Sequence, residues 1–158
     1  MSSRPGSLDP GVVLYLQRAL GLAPDAIDRL LWRESGLKGL SRESGDMRVL
    51  LASGSGDAML AIAVYVSAVA QAIAAMAACI GGIDALVFSG GIGAHAIAVR
   101  QRIVDDLAWL GLRTRVAGPG GPADPAAQVF AIDVDEETEM VAQWQQAQAR
   151  GDTTASTK

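Results

Sequence analysis

Between Asp57 and Asp84 no residue carries a charge, and that stretch constrains the fold more than any other. A helix through Ala58 to Ile80 offers water no charged face. Its possible surroundings are the hydrocarbon of a membrane or the centre of a protein core. Alanine dominates the stretch, Ser67 and Gln71 interrupt it, and no basic residue flanks it closely. Alanine adds little to membrane insertion compared with leucine or isoleucine. The pattern therefore favours a buried central helix over about 57–80, part of whose surface also suits a subunit contact. Gly81 and Gly82 end it.

The next segment has a different rhythm. Ala85 to Phe88 is a short apolar run of strand length. Gly90, Gly91 and Gly93 follow as a turn. Ile97, Val99, Ile103, Val104, Leu107 and Leu110 then recur at helical spacing, predicting a helix from Ala96 to Leu110. Strand, glycine turn and helix let a ligand approach bare backbone N–H groups, and a Cβ would hinder that approach. The spacing is not that of a dinucleotide fingerprint, and the Lys-Ser/Thr of a phosphate loop is missing. Locally, two readings stand: a nucleotide-contacting turn and a tight structural turn.

The remaining chain reads as helices first, then strands alternating with helices, which predicts an α/β domain. Met1 to Pro10 is extended, with Arg4, Pro5 and Gly6 at its middle. Asp9 and Pro10 start a helix stopped near Gly21, and Pro24 starts a second that ends near Gly36. Leu37 to Arg48 reads as a loop, because Gly39, Ser41, Ser44 and Gly45 disfavour regular structure. Val49 to Ala52 begins a short helix. Gly111 to Val116 and Gln128 to Ile132 are expected strands around the glycine- and proline-rich loop 117–127. Asp135, Glu136 and Glu137 open a last helix, their acids complementing its dipole. The domain is expected over 1–150, with a disordered tail over 151–158.

The chain has 158 residues, enough for one core, and a net charge of -4. That balance disfavours nucleic acid and anionic membranes as partners. The single cysteine, Cys79, cannot form an intrachain disulfide and reads as a small buried residue rather than a nucleophile. A reducing cytoplasm is the simplest compartment, and Met1 to Pro10 is polar and turn-rich, unlike a secretory leader.

Several separated segments together resemble the acetate and propionate kinase family, in its C-terminal part only. They are Met1 to Pro10 with Arg4 and Asp9; Glu34 to Ser41; Asp46, Met47 and Arg48; Asp84 to His95; Val99 and Arg100; and Asp135, Glu136 and Glu137. No single motif is specific, but the ordered set is. The resemblance implies an actin- and sugar-kinase-like (ribonuclease H-like) α/β domain, incomplete in this chain. It implies reversible transfer of the ATP γ-phosphoryl to acetate or propionate, giving an acyl phosphate and ADP, with Mg²⁺. Partners implied are these small molecules and either a second copy, as a homodimer, or a missing N-terminal half.

Residue by residue, the resemblance gives Arg4 a place against the transferred phosphoryl group. It gives Asp46, Met47 and Arg48 the adenosine, and Gly91, Ile92, Gly93, Ala94 and His95 a second nucleotide-contact loop. Glu136 becomes the carboxylate that positions Mg²⁺. These roles suit the chemistry, since phosphoryl transfer needs charge neutralisation more than covalent catalysis, and a guanidinium fork supplies it. On residue type alone, Arg4 reads as a solvated arginine, Asp46 and Arg48 as a surface pair worth little, and Glu136 as a dipole-complementing acid. The sequence also departs from the family. Ala94 stands for glutamate, His95 for asparagine and Asp135 for asparagine. Because the family's other catalytic residues have no counterpart here, the isolated chain is expected to be inactive. The alternative is a non-catalytic remnant that binds adenine nucleotide or only self-associates.

Overall fold

The computed structural model describes residues 1–112, 128–133, 135, 138–145 and 148. Helices lead in the order α1 (Pro10–Arg18), α2 (Pro24–Arg33), α3 (Gly36–Ser41), α4 (Met47–Ser53) and α5 (Gly56–Ile80). Strand β1 (Ala85–Phe88) follows, then α6 (Gly90–His95), α7 (Ile97–Asp106), a 3-10 turn at Ala108–Leu110, and β2 (Gln128–Ala131). Residues 138–145 are helical again. Asp135 caps that turn: its carboxylate accepts from the Thr138 amide at 3.0 Å and the Thr138 hydroxyl at 2.6 Å. Expected features over 113–127, at Glu136 and Glu137, and over 151–158 lie outside the described residues. Of the strand expected from Gly111 to Val116, the described residues Gly111 and Leu112 are not in a strand.

The uncharged helix is the axis of the core. Ser55 caps α5 by accepting from the Ala58 amide at 3.1 Å, and Gly81, left-handed at φ 80, closes it. Ala58, Ala61, Ile62, Val66, Ala70 and Ala77 are buried, at the three-and-four spacing of one helix face. Alanines on that face let neighbouring helices come close. Leu37 of α3, Met47 and Leu50 of α4, and Val99, Ile103 and Val104 of α7 join all of these α5 residues but Ala77 in one apolar cluster. Each such side chain, fully buried, contributes roughly 1.5 to 3 kcal/mol. The other side of α5 is exposed at Met59, Leu60, Val64, Met76 and Ile80. Cys79 lies on that outer side and is exposed, contrary to the burial expected of a cysteine in an apolar run.

Two further expectations are corrected. The segment 37–48 is not a loop, because it contains α3 and the start of α4. Helix propensity alone would not hold α3, with glycine at two of its six positions. Its first amides are instead satisfied by the N-terminal segment: Leu37 N–H donates to the Met1 carbonyl at 2.9 Å and Lys38 N–H to the Ser2 carbonyl at 3.0 Å. Ser35 N–H donates to the Ser3 carbonyl at 3.0 Å. Nor are the three later glycines a turn preceding one helix. They lie within α6, a separate short helix, and only Gly90 among them has a positive φ, 70°.

β1 and β2 pair in parallel, with Ala85 opposite Gln128 and Phe88 opposite Ala131. Flanking bonds extend the ladder: Gln128 N–H donates to the Asp84 carbonyl at 3.0 Å and Ile132 N–H to the Phe88 carbonyl at 2.9 Å. A parallel pair needs a crossover, which here includes α6 and α7. The pairing brings the end of β2 alongside the start of α6.

Gly36 is the point where the N-terminal segment fits against α3. Its φ is 62°, and an added Cβ would stand 2.1 Å from the Met1 carbonyl oxygen and 2.6 Å from that of Arg4. Gly54 has a similar φ of 61° with nothing within 4 Å of an added Cβ. Gly36→Ala is therefore expected to cost roughly 2 to 5 kcal/mol, combining left-handed strain with displaced backbone. Gly54→Ala should cost only the strain, about 1 to 2 kcal/mol. Urea unfolding of both variants checks the difference; equal losses would remove the clamp.

Candidate functional site

The candidate site begins with a buried hydroxyl. Ser41, last residue of α3, is 1% exposed. Its Oγ donates to the Ser44 carbonyl at 3.1 Å and accepts from the amides of Glu43 and Ser44, each at 3.2 Å. This knot turns the chain after Arg42, whose φ of 58° ends the helix. It delivers Asp46 to the N-cap of α4. The Asp46 amide donates in turn to Ser44 Oγ at 3.0 Å.

Asp46 has two tasks. Its Oδ1 accepts from the Arg48 amide at 2.9 Å, capping α4. The Arg48 guanidinium also closes on the carboxylate, with Nη2 donating to Oδ2 at 2.6 Å and Nε to Oδ1 at 3.1 Å. The hydrogen bonds from Arg48 lower the Asp46 carboxyl to about 2, and the carboxylate correspondingly raises Arg48. The Arg48 side chain is nonetheless 90% exposed, so the fork is paired with Asp46 while still facing outward.

Across from α4 stands α6. Asp46, Met47, Arg48 and Leu51 line a cavity of about 750 Å³ whose other side is Gly91, Ile92, His95 and Ala96. Ser2 and Gly45 complete it. An added Cβ at Gly91 would meet nothing within 4 Å, so its backbone is open to an approaching group. Met47, Leu51, Ile92 and Ala96 make apolar walls, with the Asp46–Arg48 pair, Ser2 and His95 supplying polar groups. The volume falls in the range of small-molecule sites, and apolar walls with a few polar groups suit a flat heterocycle carrying a polar substituent.

The structure thus brings Asp46, Met47, Arg48, Gly91, Ile92 and His95 to one cavity. Gly93 and Ala94 are not among its lining residues. Their carbonyls accept from Arg100 Nη1 at 2.8 and 2.6 Å. His95 Nε2 stands 3.7 Å from Asp133 Oδ1, both side chains well exposed. His95 does not cap α7, which has no side-chain cap. Arg4 does not line the cavity either: its guanidinium lies over the Trp32 ring, 4.2 Å from the centroid, a cation–π contact. Glu136 lies outside the described residues. Sequence reasoning missed Ser2, Gly45, Leu51 and Ala96 as lining residues. Only the serine at each end of Ser41-Arg-Glu-Ser44 signals the turn that carries Asp46.

Magnesium is implied by the resemblance, and Mg²⁺ takes oxygen ligands, commonly one or two carboxylates. Among the described residues no cluster of metal-ligating side chains forms. Asp46 is engaged by Arg48 and Asp135 by Thr138. The described residues by themselves do not fit a metal site.

The Asp46 value sits below the ordinary 3.8. Its contribution to stability is therefore complete above 3.8 and is lost as pH falls through about 2. Asp46→Asn retains a capping side chain but loses the ionic fork. Its thermal midpoint should lie below that of the parent above pH 3.8, with the gap closing toward pH 2. Circular dichroism melts across that range check this. A gap independent of pH would show that Asp46 acts only as a cap.

Comparison with known proteins gives the context for this cavity. The model described as the Acetokinase family matches residues 1–141. The acetate kinase of Rhodopseudomonas palustris (strain TIE-1) is 46% identical over 145 residues, covering 87% of this chain and 36% of that protein. The acetate kinase of Rhizobium meliloti is 50% identical over 107 residues, covering 68% of this chain and 27% of that protein. The crystal structure of Porphyromonas gingivalis acetate kinase superposes with a TM-score of 0.78 at 30% identity, covering 90% of this chain and 39% of the other. A propionate kinase from Francisella tularensis gives 0.76 at 31% identity, covering 87% and 38%. The α/β fold is the actin-like fold of these kinases, present in part, and the chain spans 27 to 39% of the length of these relatives. It belongs to the acetokinase family.

Proposed function

We propose that this chain supplies the adenosine-side wall of an acetate-kinase-type phosphotransferase, which moves the ATP γ-phosphoryl to acetate or propionate. The observation that carries the reading is the single cavity shared by 46–48 and by Gly91, Ile92 and His95. These stretches are more than forty residues apart in the chain, and each has its own counterpart in the family motifs. In this reading the base lies between Met47 and Leu51 on one side and Ile92 and Ala96 on the other. Arg48, fixed by Asp46, faces the sugar or the first phosphate with a planar charged fork. The open backbone at Gly91 admits the ligand without side-chain contact. Magnesium and the phosphoryl-side role of Arg4 belong to the complete site. Arg4 would have to leave Trp32 to take that role, and Glu136 would contribute the carboxylate. The soluble, reducing interior of a cell is part of the proposal, and the exposed Cys79 thiol suits it.

A second reading is supported by the outer side of α5. Leu60, Val64, Met76 and Ile80 are exposed there, a surface that ordinarily finds a cover. That favours a chain that associates, with a second copy or with the remaining part of a family fold, and that binds nucleotide without turnover by itself.

Titration calorimetry with Mg·ADP on the folded chain tests the first reading. Saturable binding is expected, abolished by Leu51→Trp, which fills the cavity from α4. ADP release with acetate and with propionate should be absent for the chain alone. It should appear when the N-terminal portion of a relative, such as the Rhodopseudomonas palustris enzyme, is added. A soluble folded chain giving no heat with Mg·ADP would overturn the nucleotide reading. Binding without any complementation would favour the non-catalytic one.

A further inference from the structure

α6 is a helix with little reason to exist on its own. It has six residues, three of them glycine, and no side-chain N-cap. Glycine costs about 1 kcal/mol against alanine at each interior helix position, and a helix this short is not stable in isolation. Yet α6 carries Gly91, Ile92 and His95 into the cavity. Something outside it must fix its place.

Ile92 packs against the core cluster, and among the described residues two side-chain contacts reach the C-terminal end of α6. One joins His95 to Asp133 at 3.7 Å, with side chains 67% and 80% exposed, and an exposed pair of that kind contributes little. The other is Arg100. From α7 its Nη1 donates to the Gly93 carbonyl at 2.8 Å and the Ala94 carbonyl at 2.6 Å, in a partly buried setting. The last carbonyls of a helix lack intrahelical donors, and a cation there also meets the negative end of the helix dipole. A permanently charged guanidinium serves both needs. Arg100 does not line the cavity between α4 and α6. It lines a separate cavity of about 320 Å³ with Tyr65, Phe88 and Val99.

We propose that Arg100 is a positioning residue: it holds α6 by its carbonyls and so sets the nucleotide affinity of a cavity that it does not touch. The affinity half of this proposal rests on the nucleotide reading above; the hold on α6 does not.

The test uses Arg100→Met, Arg100→Lys and, as a control on the same helix, Arg102→Met in the full chain. Amide hydrogen exchange at Ala94, His95 and Ala96 reads the hold, and calorimetry with Mg·ADP reads the affinity. Arg100→Met should raise exchange at these amides by about tenfold or more, the effect of losing charged hydrogen bonds, while α4 and α5 amides change less. It should weaken ADP by about tenfold. Arg100→Lys should fall between the parent and Arg100→Met in both measurements, and Arg102→Met should match the parent. A folded Arg100→Met with parental exchange in α6 overturns the proposal. So does one with faster exchange and parental ADP affinity. If the parent itself binds no ADP, the nucleotide reading fails while the exchange data still decide the hold. If Arg100→Met does not fold, Arg100→Lys against the parent decides: unchanged exchange in α6 overturns it.

Discussion

The packing of three helices against one face of α5 is the constraint on which the described fold depends. α3 and α4 bring Leu37, Met47 and Leu50 to that face, and α7 brings Val99, Ile103 and Val104. The cavity lies between elements fixed in this way. α4 forms one wall directly, and α7 governs the other through α6. Small side chains on α5 matter as much as apolar ones. Ala58 and Ala61 are fully buried, and a larger residue at either would push a neighbouring helix outward by more than a packed core tolerates.

A second layer of order comes from backbone groups and short polar side chains. Carbonyls of the first three residues accept from the start of α3, the buried Ser41 hydroxyl shapes the turn that follows, and Asp46 converts that turn into α4. Each step satisfies polar groups that burial would otherwise leave costly. The result places Ser2 and Gly45 beside Asp46 at the cavity. A chain with modest intrinsic helix preference between Gly36 and Gly45 is held by such contacts rather than by propensity.

The sequence signals those elements whose determinants are local. Asp9 with Pro10 marks the start of α1, the uncharged run marks α5, and the short apolar runs mark β1 and β2. The glycine turn offers a nucleotide contact on local grounds, but only the ordered family motifs join 46–48 to Gly91, Ile92 and His95, because nothing local links α4 to α6. What the sequence hid was tertiary. α3 owes its form to partners more than thirty residues away, and α6 owes its C-terminal end to Arg100. The stacking of Arg4 on Trp32 joins two segments with no shared pattern. Cys79 fell on the wrong side of the expectation because α5 buries only one face, and helical phase near its last turn points that residue outward.

The Asp46–Arg48 fork has a kinetic and entropic side as well. A free arginine at a surface samples many rotamers, and docking a ligand against it means giving up that freedom at the moment of encounter. Here part of that freedom is already given up in the fold, since the guanidinium donates from two nitrogens to a neighbour two positions earlier. A molecule arriving at this wall meets a preset direction of charge instead of a wandering one. In the proposed nucleotide reading, discrimination at that edge follows from shape at first contact, with no closing motion of Arg48 required.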